Sequence, residues 1–306
     1  MKKLIIFGGT GYLGTNLATS LSKEYYVSVT GRRDRSLFSS DPFRDFDIGY
    51  HKLKIKHIPR VYRLIDQNDL IIFAVPNIQP HHPRPILHSD YLEIIKPSEK
   101  IFKYASQRAK RIIFLSSGGS VYGDGQNCIH SEDSTAQPTN RYGKYKLRLD
   151  KSLLHLNSTY HSKNVVLRIA NPYGRTFDDF FTQGFINSLI RNVRANKYVE
   201  IWGNGNQIRD FIFMDDIVNL VRIILNKESA DGVFNCGTGI GNSLKDIIDI
   251  SEDILMSKVL VKYISSYKEK ISSNILNIDK SLAYFNWTPK NSLQDILPKL
   301  LLGNQI

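Results

Sequence analysis

The apolar positions divide the chain into short apolar runs and longer segments with helical spacing. KLIIF (3–7) is apolar after its lysine and runs straight into glycines. YVSVT (26–30), DLIIFAV (69–75), RIIFL (111–115) and NVVLRI (164–169) are further runs of this kind. Short runs that stay apolar read as strands buried on both faces. In YLGTNLATSLSK (12–23), Leu13, Leu17 and Leu21 fall four apart and share one helical face. YLEIIKPSEKIFKYASQRAK (91–110) repeats the helical spacing, with Pro97 marking a kink or a first turn. Strands alternating with helices predict an α/β fold built on a parallel sheet covered on both faces. DFDI (45–48), which contains Asp47, is the candidate third strand.

After residue 170 the rhythm loosens. NPYGRTFDDFFTQ is aromatic and loop-like, GFINSLIRNVRAN has helical spacing, and YVEIW is a short strand closed by GNGNQ. DDIVNLVRIIL (215–225) is again a helix, and SLKDIIDISEDIL opens at a serine suited to cap one. NILNI reads as a strand, and a last helix follows Pro289. The pattern predicts residues 1–170 as the main α/β domain, to which 209–237 return. Residues 171–306 form most of a smaller, interleaved lobe for substrate.

The length of 306 residues suits one large domain with such a lobe. With 42 % hydrophobic and 23 % charged residues the chain is globular, not disordered. LIIF is too short an apolar run for an export signal, and no run is long enough to span a membrane. Two cysteines, Cys128 and Cys236, lack metal-ligand spacing, so the expectation is a reduced, cytoplasmic protein without a metal. The net charge of +12 favours anionic ligands. KLKIKHIPRVYR (52–63) and QRAKR (107–111) concentrate basic residues and read as solvated surface; no nucleic-acid motif accompanies them.

GGTGYLG (8–14) follows the first strand and opens the first helix, with Gly8, Gly11 and Gly14 three apart. Glycines there make a tight turn, let the backbone approach a pyrophosphate and let helix and strand pack closely. Placed after an apolar strand, they predict a doubly wound Rossmann sheet, with 1–170 as its dinucleotide-binding domain and Asp47 near the adenine. Thr10, Tyr12 and Leu13 complete the cradle, and Ala74 at the end of the 69–75 strand borders the cofactor. The second strand ends Thr30–Gly31–Arg32–Arg33. An NAD site usually carries a carboxylate here for the ribose hydroxyls, whereas arginine pairs with a 2′-phosphate. The cofactor expected is therefore NADP, with NAD as the alternative.

RYGKYK (141–146) carries Tyr142 and Lys146 four apart, one turn on a helix. A nearby ammonium lowers a phenol's pKa and lets it exchange a proton with a sugar hydroxyl. Taken together, GGTGYLG, SSGGSVYG, YGKYK, LRIANPYG, WGNGNQIRDFIFMDDI, FNCGTGIGNSL and NWTPK resemble the blocks of the extended short-chain dehydrogenase/reductase family, in that family's order over essentially the whole length. The resemblance implies a nucleotide-diphosphate-sugar substrate and a homodimer pairing through 91–110 and 141–157.

The same resemblance gives Tyr142 the catalytic acid/base role and Lys146 the nicotinamide ribose. It gives Asn171 the sugar pocket and Arg209 the diphosphate, unless Arg209 pairs with Asp210 or Asp215. A second basic group for the diphosphate falls on Lys268 or Lys270. Family members carry a hydroxyl four residues before the tyrosine of VYG, where this chain has Gly118; Ser117 and Ser120 are the candidates to replace it. The dehydratases of the family place acids where Gly119 and Ser120 stand, so elimination of water lacks its acid and base here. Three readings remain: an NADPH-dependent 4-ketoreductase of surface-polysaccharide synthesis, favoured by Arg32 and Arg33; an NAD-dependent 4-epimerase; and a cofactor-binding sensor without catalysis.

Overall fold

The computed structural model describes residues 1–38, 40–75, 88–123, 129–175, 184–265 and 272–303. The chain opens with β1 (Lys3–Phe7), α1 (Tyr12–Leu21), β2 (Tyr26–Gly31), β3 (Ile48–Lys52), α2 (Ile58–Asp66) and β4 (Leu70–Phe73). A short helical turn, α3 (His88–Asp90), leads through a π-helical turn at Tyr91–Ile95 into α4 (Lys96–Gln107), so the expected single helix is two pieces with Pro97 in the first turn of the second. Then come β5 (Arg111–Ser117), α5 (Gly118–Val121), β6 (Ile129–His130), α6 (Arg141–Tyr160), β7 (Val165–Ile169) and β8 (Asn171–Tyr173). The later part holds α7 (Phe185–Arg194), β9 (Val199–Trp202), β10 (Ile208–Phe213), α8 (Met214–Asn226), β11 (Gly232–Cys236), β12 (Gly241–Ser243) and α9 (Leu244–Leu255). It closes with β13 (Val261–Ile264), β14 (Ser273–Leu276), α10 (Asp279–Phe285) and α11 (Leu293–Leu302).

The large sheet is parallel, in the order β11-β7-β5-β4-β1-β2-β3. Alternate side chains of each strand face opposite sides. Leu4 and Ile6 of β1 join a buried cluster with Leu17 and Leu21 of α1 and Leu220 of α8. Ile5 and Phe7 join the opposite cluster, with Phe102 of α4 and Leu149 of α6. Burial on both faces is why these strands carry no polar alternation; each such side chain contributes about 1.5–3 kcal/mol. The chain leaves β1 towards β2 and β3, then returns to β4 on β1's other side. The loop after β1 therefore opens at the point where the strand order reverses, the ligand crevice of such sheets.

A second sheet runs β12-β10-β14-β6, with β8 paired to β10. Its own apolar cluster includes Phe211, Phe213, Ile247 and Leu297. Ser243 caps α9 reciprocally with Asp246. α10 was not legible as a separate helix in the sequence.

The third strand lies at Ile48–Lys52, not 45–48. Val27 of β2 stands opposite Ile48 and Gly31 opposite Lys52. Asp47 thus precedes the strand and lies at the end of the sheet away from the cradle, so it cannot reach the adenine. The run 52–63 is also more than solvated surface: its lysines are exposed, but it enters α2, whose Val61, Leu64 and Ile65 are buried at helical spacing. Arg111 in the second basic run donates to the carbonyls of Lys163, Ile224 and Ala230, which stitches the sheet's edge.

Candidate active site

The cradle is built from backbone. Gly8 turns with φ of +81°, a region side-chain-bearing residues rarely adopt. A β-carbon on Gly14 would lie 2.7 Å from the Gly9 Cα and closer still to the Gly8 carbonyl oxygen, so only glycine fits. α1 starts at Gly11 without a side-chain cap, which leaves its first N–H groups directed into the crevice. That is the feature an anionic pyrophosphate needs. Ala74 closes one wall: its N–H donates to the Phe7 carbonyl at 2.9 Å, and its backbone lies against Gly8. The Tyr12 ring is buried and its hydroxyl donates to the Gly174 carbonyl, so Tyr12 anchors the cradle to the loop after β8 and offers the crevice only its backbone.

The end of β2 meets this cradle. The Gly8 N–H donates to Thr30 Oγ1 at 3.2 Å, a contact the sequence did not suggest. A β-carbon on Gly31 would lie 2.6 Å from the Thr10 methyl and closer to the Tyr50 hydroxyl, which donates to the Arg33 carbonyl. A side chain at Gly31 would have to displace the ends of the Thr10 and Tyr50 side chains. Arg32 and Arg33 follow, both exposed. The next carboxylate, Asp34, is held by Lys52 at 3.2 Å and by Ser36.

At the far side of the crevice α6 presents Tyr142 and Lys146 one turn apart. Burial pushes the Tyr142 hydroxyl up to about 12, against the opposing pull of a hydrogen bond donated by Ser117. Lys146 is buried, lies 5.6 Å from the Tyr142 ring centre, and its Nζ donates to the Leu115 carbonyl at 2.6 Å. Burial pushes its ammonium down to about 7, opposed by the charge of Asp150. Of the two candidate serines, Ser117 is the one bonded to Tyr142; the Ser120 backbone instead packs under Gly143.

Asn171 is anchored by its amide to the Asp210 carbonyl at 2.8 Å and lies against Gly119. Arg209 sits on β10 opposite Asn274 of β14, whose amide reaches the Gly118 carbonyl at 3.4 Å. Neither expected ion pair is what occupies the two acids: Asp210 accepts from Thr238, Gly239 and Leu276, and Asp215 pairs with Arg175. Lys268 and Lys270 lie outside the described residues, as does Cys128; Cys236 is a buried free thiol.

The model of the NAD dependent epimerase/dehydratase family matches residues 4–237. The chain belongs to this family. Among curated relatives it is 26 % identical to a dTDP-4-dehydro-6-deoxyglucose reductase of Escherichia coli, over 97 % of this chain and 96 % of that one. It is 24 % identical to a putative UDP-glucose 4-epimerase of Methanocaldococcus jannaschii, over 97 % of each. Among solved structures, UDP-glucose 4-epimerase of Thermotoga maritima with UDP-glucose superimposes with a TM-score of 0.86 at 22 % identity, covering 98 % of this chain and 97 % of that one. The dTDP-glucose 4,6-dehydratase of Bacillus anthracis in complex with NAD gives 0.84 at 17 % identity, covering 99 % and 96 %. The family's nucleotide-sugar epimerases, dehydratases and reductases thus share this fold from end to end. No helix among the described residues is long and apolar enough to cross a membrane.

Proposed function

We propose that this chain is an NADPH-dependent nucleotide-sugar 4-ketoreductase acting on a 4-keto-6-deoxyhexose such as dTDP-4-dehydro-6-deoxyglucose. The observation that carries the reading is the end of β2. Gly31 offers no carboxylate where an NAD site uses one, and Arg32 and Arg33 follow it, exposed beside the cradle. Two guanidinium groups suit a phosphate dianion.

Bound NADPH supplies the hydride that reduces the sugar's C4 carbonyl. The chain's own residues do the rest. The uncapped end of α1 with Gly8, Gly11 and Gly14 holds the pyrophosphate. Lys146 holds the nicotinamide ribose. Tyr142 passes its proton to the C4 oxygen, so that hydride and proton together make the alcohol. Ser117 donates a hydrogen bond to that oxygen, the electrostatic assistance Gly118 cannot give. Asn171 lines the sugar pocket and Arg209 pairs with the diphosphate. In this reading the protein works in the cytoplasm, as a homodimer, in the making of surface-polysaccharide sugars.

The test is consumption of NADPH. Purified protein given dTDP-4-dehydro-6-deoxyglucose should oxidise many equivalents of NADPH and do so more slowly with NADH. A second reading, the NAD-dependent 4-epimerase, is favoured by the epimerases among the relatives. Absence of NADPH consumption, with NAD retained through purification, would replace the first reading by the second.

A further inference from the structure

Beneath Lys146 lies a buried group of charges that the proposed chemistry does not use. α6 stacks Tyr142, Lys146 and Asp150 at successive turns of one face. Asp150 is wholly buried, and its Oδ2 accepts from Arg168 Nε of β7 at 3.0 Å. Arg168 is 5 % exposed, and its guanidinium lies 4.8 Å from the centre of the Tyr122 ring. Tyr122 in turn donates to Asn235 of β11 at 2.7 Å. The groups in contact with Lys146 are neutral: the Phe114 ring and Leu115 carbonyl of β5 and the Tyr142 ring on α6. From α4 the nearest acid, Glu99, pairs with Arg148 at the surface. Asp150 thus pairs directly with one buried cation and stands one helical turn from a second.

We propose that Asp150 is a positioning residue that holds Lys146 in its charged form at the site. The argument is a balance of charge. Arginine keeps its proton at any working pH, whereas lysine surrenders one readily when buried. Without the carboxylate two cations would share one dry pocket, and only Lys146 could relieve the strain by becoming neutral. A neutral amine is a poorer donor to a ribose hydroxyl. Asp150 thus acts on the reaction through Lys146 and never touches substrate.

The pair Asp150–Arg168 gives the proposal a test with opposite signs. Lysine side chains labelled with ¹³C at Cε report the titration of Lys146 by NMR in the cofactor-free protein, the signal being assigned by its absence in Lys146→Arg. Asp150→Asn should lower the Lys146 midpoint by about one to three pH units. Arg168→Gln should raise it, because the carboxylate then serves Lys146 alone. Asp150→Glu should leave it near the parent value. Loss of packing would not move the two single variants in opposite directions. An unchanged midpoint in Asp150→Asn, or a lowered one in Arg168→Gln, would overturn the proposal. If Asp150→Asn does not fold, Arg168→Gln and Asp150→Glu still decide. The consequence for turnover rests on the ketoreductase reading: the high-pH limb of NADPH oxidation should move down in Asp150→Asn. The NMR result stands apart from that reading, so the two can fail separately.

Discussion

A β-carbon on Gly118 would lie 2.6 Å from Leu276 Cδ1 and 2.7 Å from its Cδ2. Leu276 is fully buried in the apolar cluster beneath the crevice, so it cannot swing aside freely. The position where relatives carry a hydroxyl is thus closed by β14. Gly118→Ser should cost about 1–3 kcal/mol through overpacking, read as a lower urea midpoint at unchanged slope. Combined with Leu276→Ala, the loss should be smaller than the sum of the two single losses.

In the proposed reading the assisting hydroxyl is that of Ser117. Ser117→Ala should lower kcat for ketone reduction about 10²–10³-fold with NADPH affinity unchanged. Ser120→Ala should lower it by less than about tenfold. Equal losses in the two variants would remove the distinction between them.

Cofactor choice should reside in Arg32 and Arg33. Replacing either by alanine should weaken NADPH binding about tenfold or more, the scale of a lost charge-assisted hydrogen bond, and leave NADH binding unchanged. Gly31→Asp alone should not create an NAD enzyme, because Tyr50 and Thr10 fill the space its side chain needs. Titration calorimetry with both nucleotides checks both statements.

Lys146 should make stability depend on pH. Burial lowers it from the ordinary 10.5 to about 7 in the folded chain. Between those values the unfolded chain binds a proton that the folded chain does not, so stability rises with pH through this window and the full penalty remains below it. Lys146→Met should therefore raise Tm at pH 7, with the gain shrinking towards pH 10, while ketone reduction is lost. Equal Tm for parent and variant at pH 7 would contradict this.

What the sequence disclosed and what it hid have physical reasons. The glycines at 8, 11 and 14 answer local demands of turn and close approach, so their spacing alone located the cradle. The four-residue step from Tyr142 to Lys146 is likewise local. The closure of Gly118 depends on where Leu276 lands, far along the chain on another strand, and no local pattern carries that. Asp150 is one further helical turn from Lys146, a signal that could have been followed, but its partner Arg168 comes from β7. Asp47 was misplaced because a strand's register is set by its neighbour: Ile48 pairs with Val27, which pushes Asp47 out at the wrong end of the sheet. α2 was masked by the basic run that enters it: Lys52, Lys54 and Lys56 precede the helix and Arg60 and Arg63 lie on it, among the three apolar residues that bury it.

The central claim, net reduction at C4 with an exchanging cofactor, is tested most directly by isotope transfer. Protein supplied with NADPH carrying deuterium at the transferable position and with dTDP-4-dehydro-6-deoxyglucose should yield a sugar with one deuterium at C4 for each NADPH oxidised, over many turnovers. A sugar free of label, with no NADPH consumed while UDP-glucose and UDP-galactose interconvert on retained NAD, would contradict it.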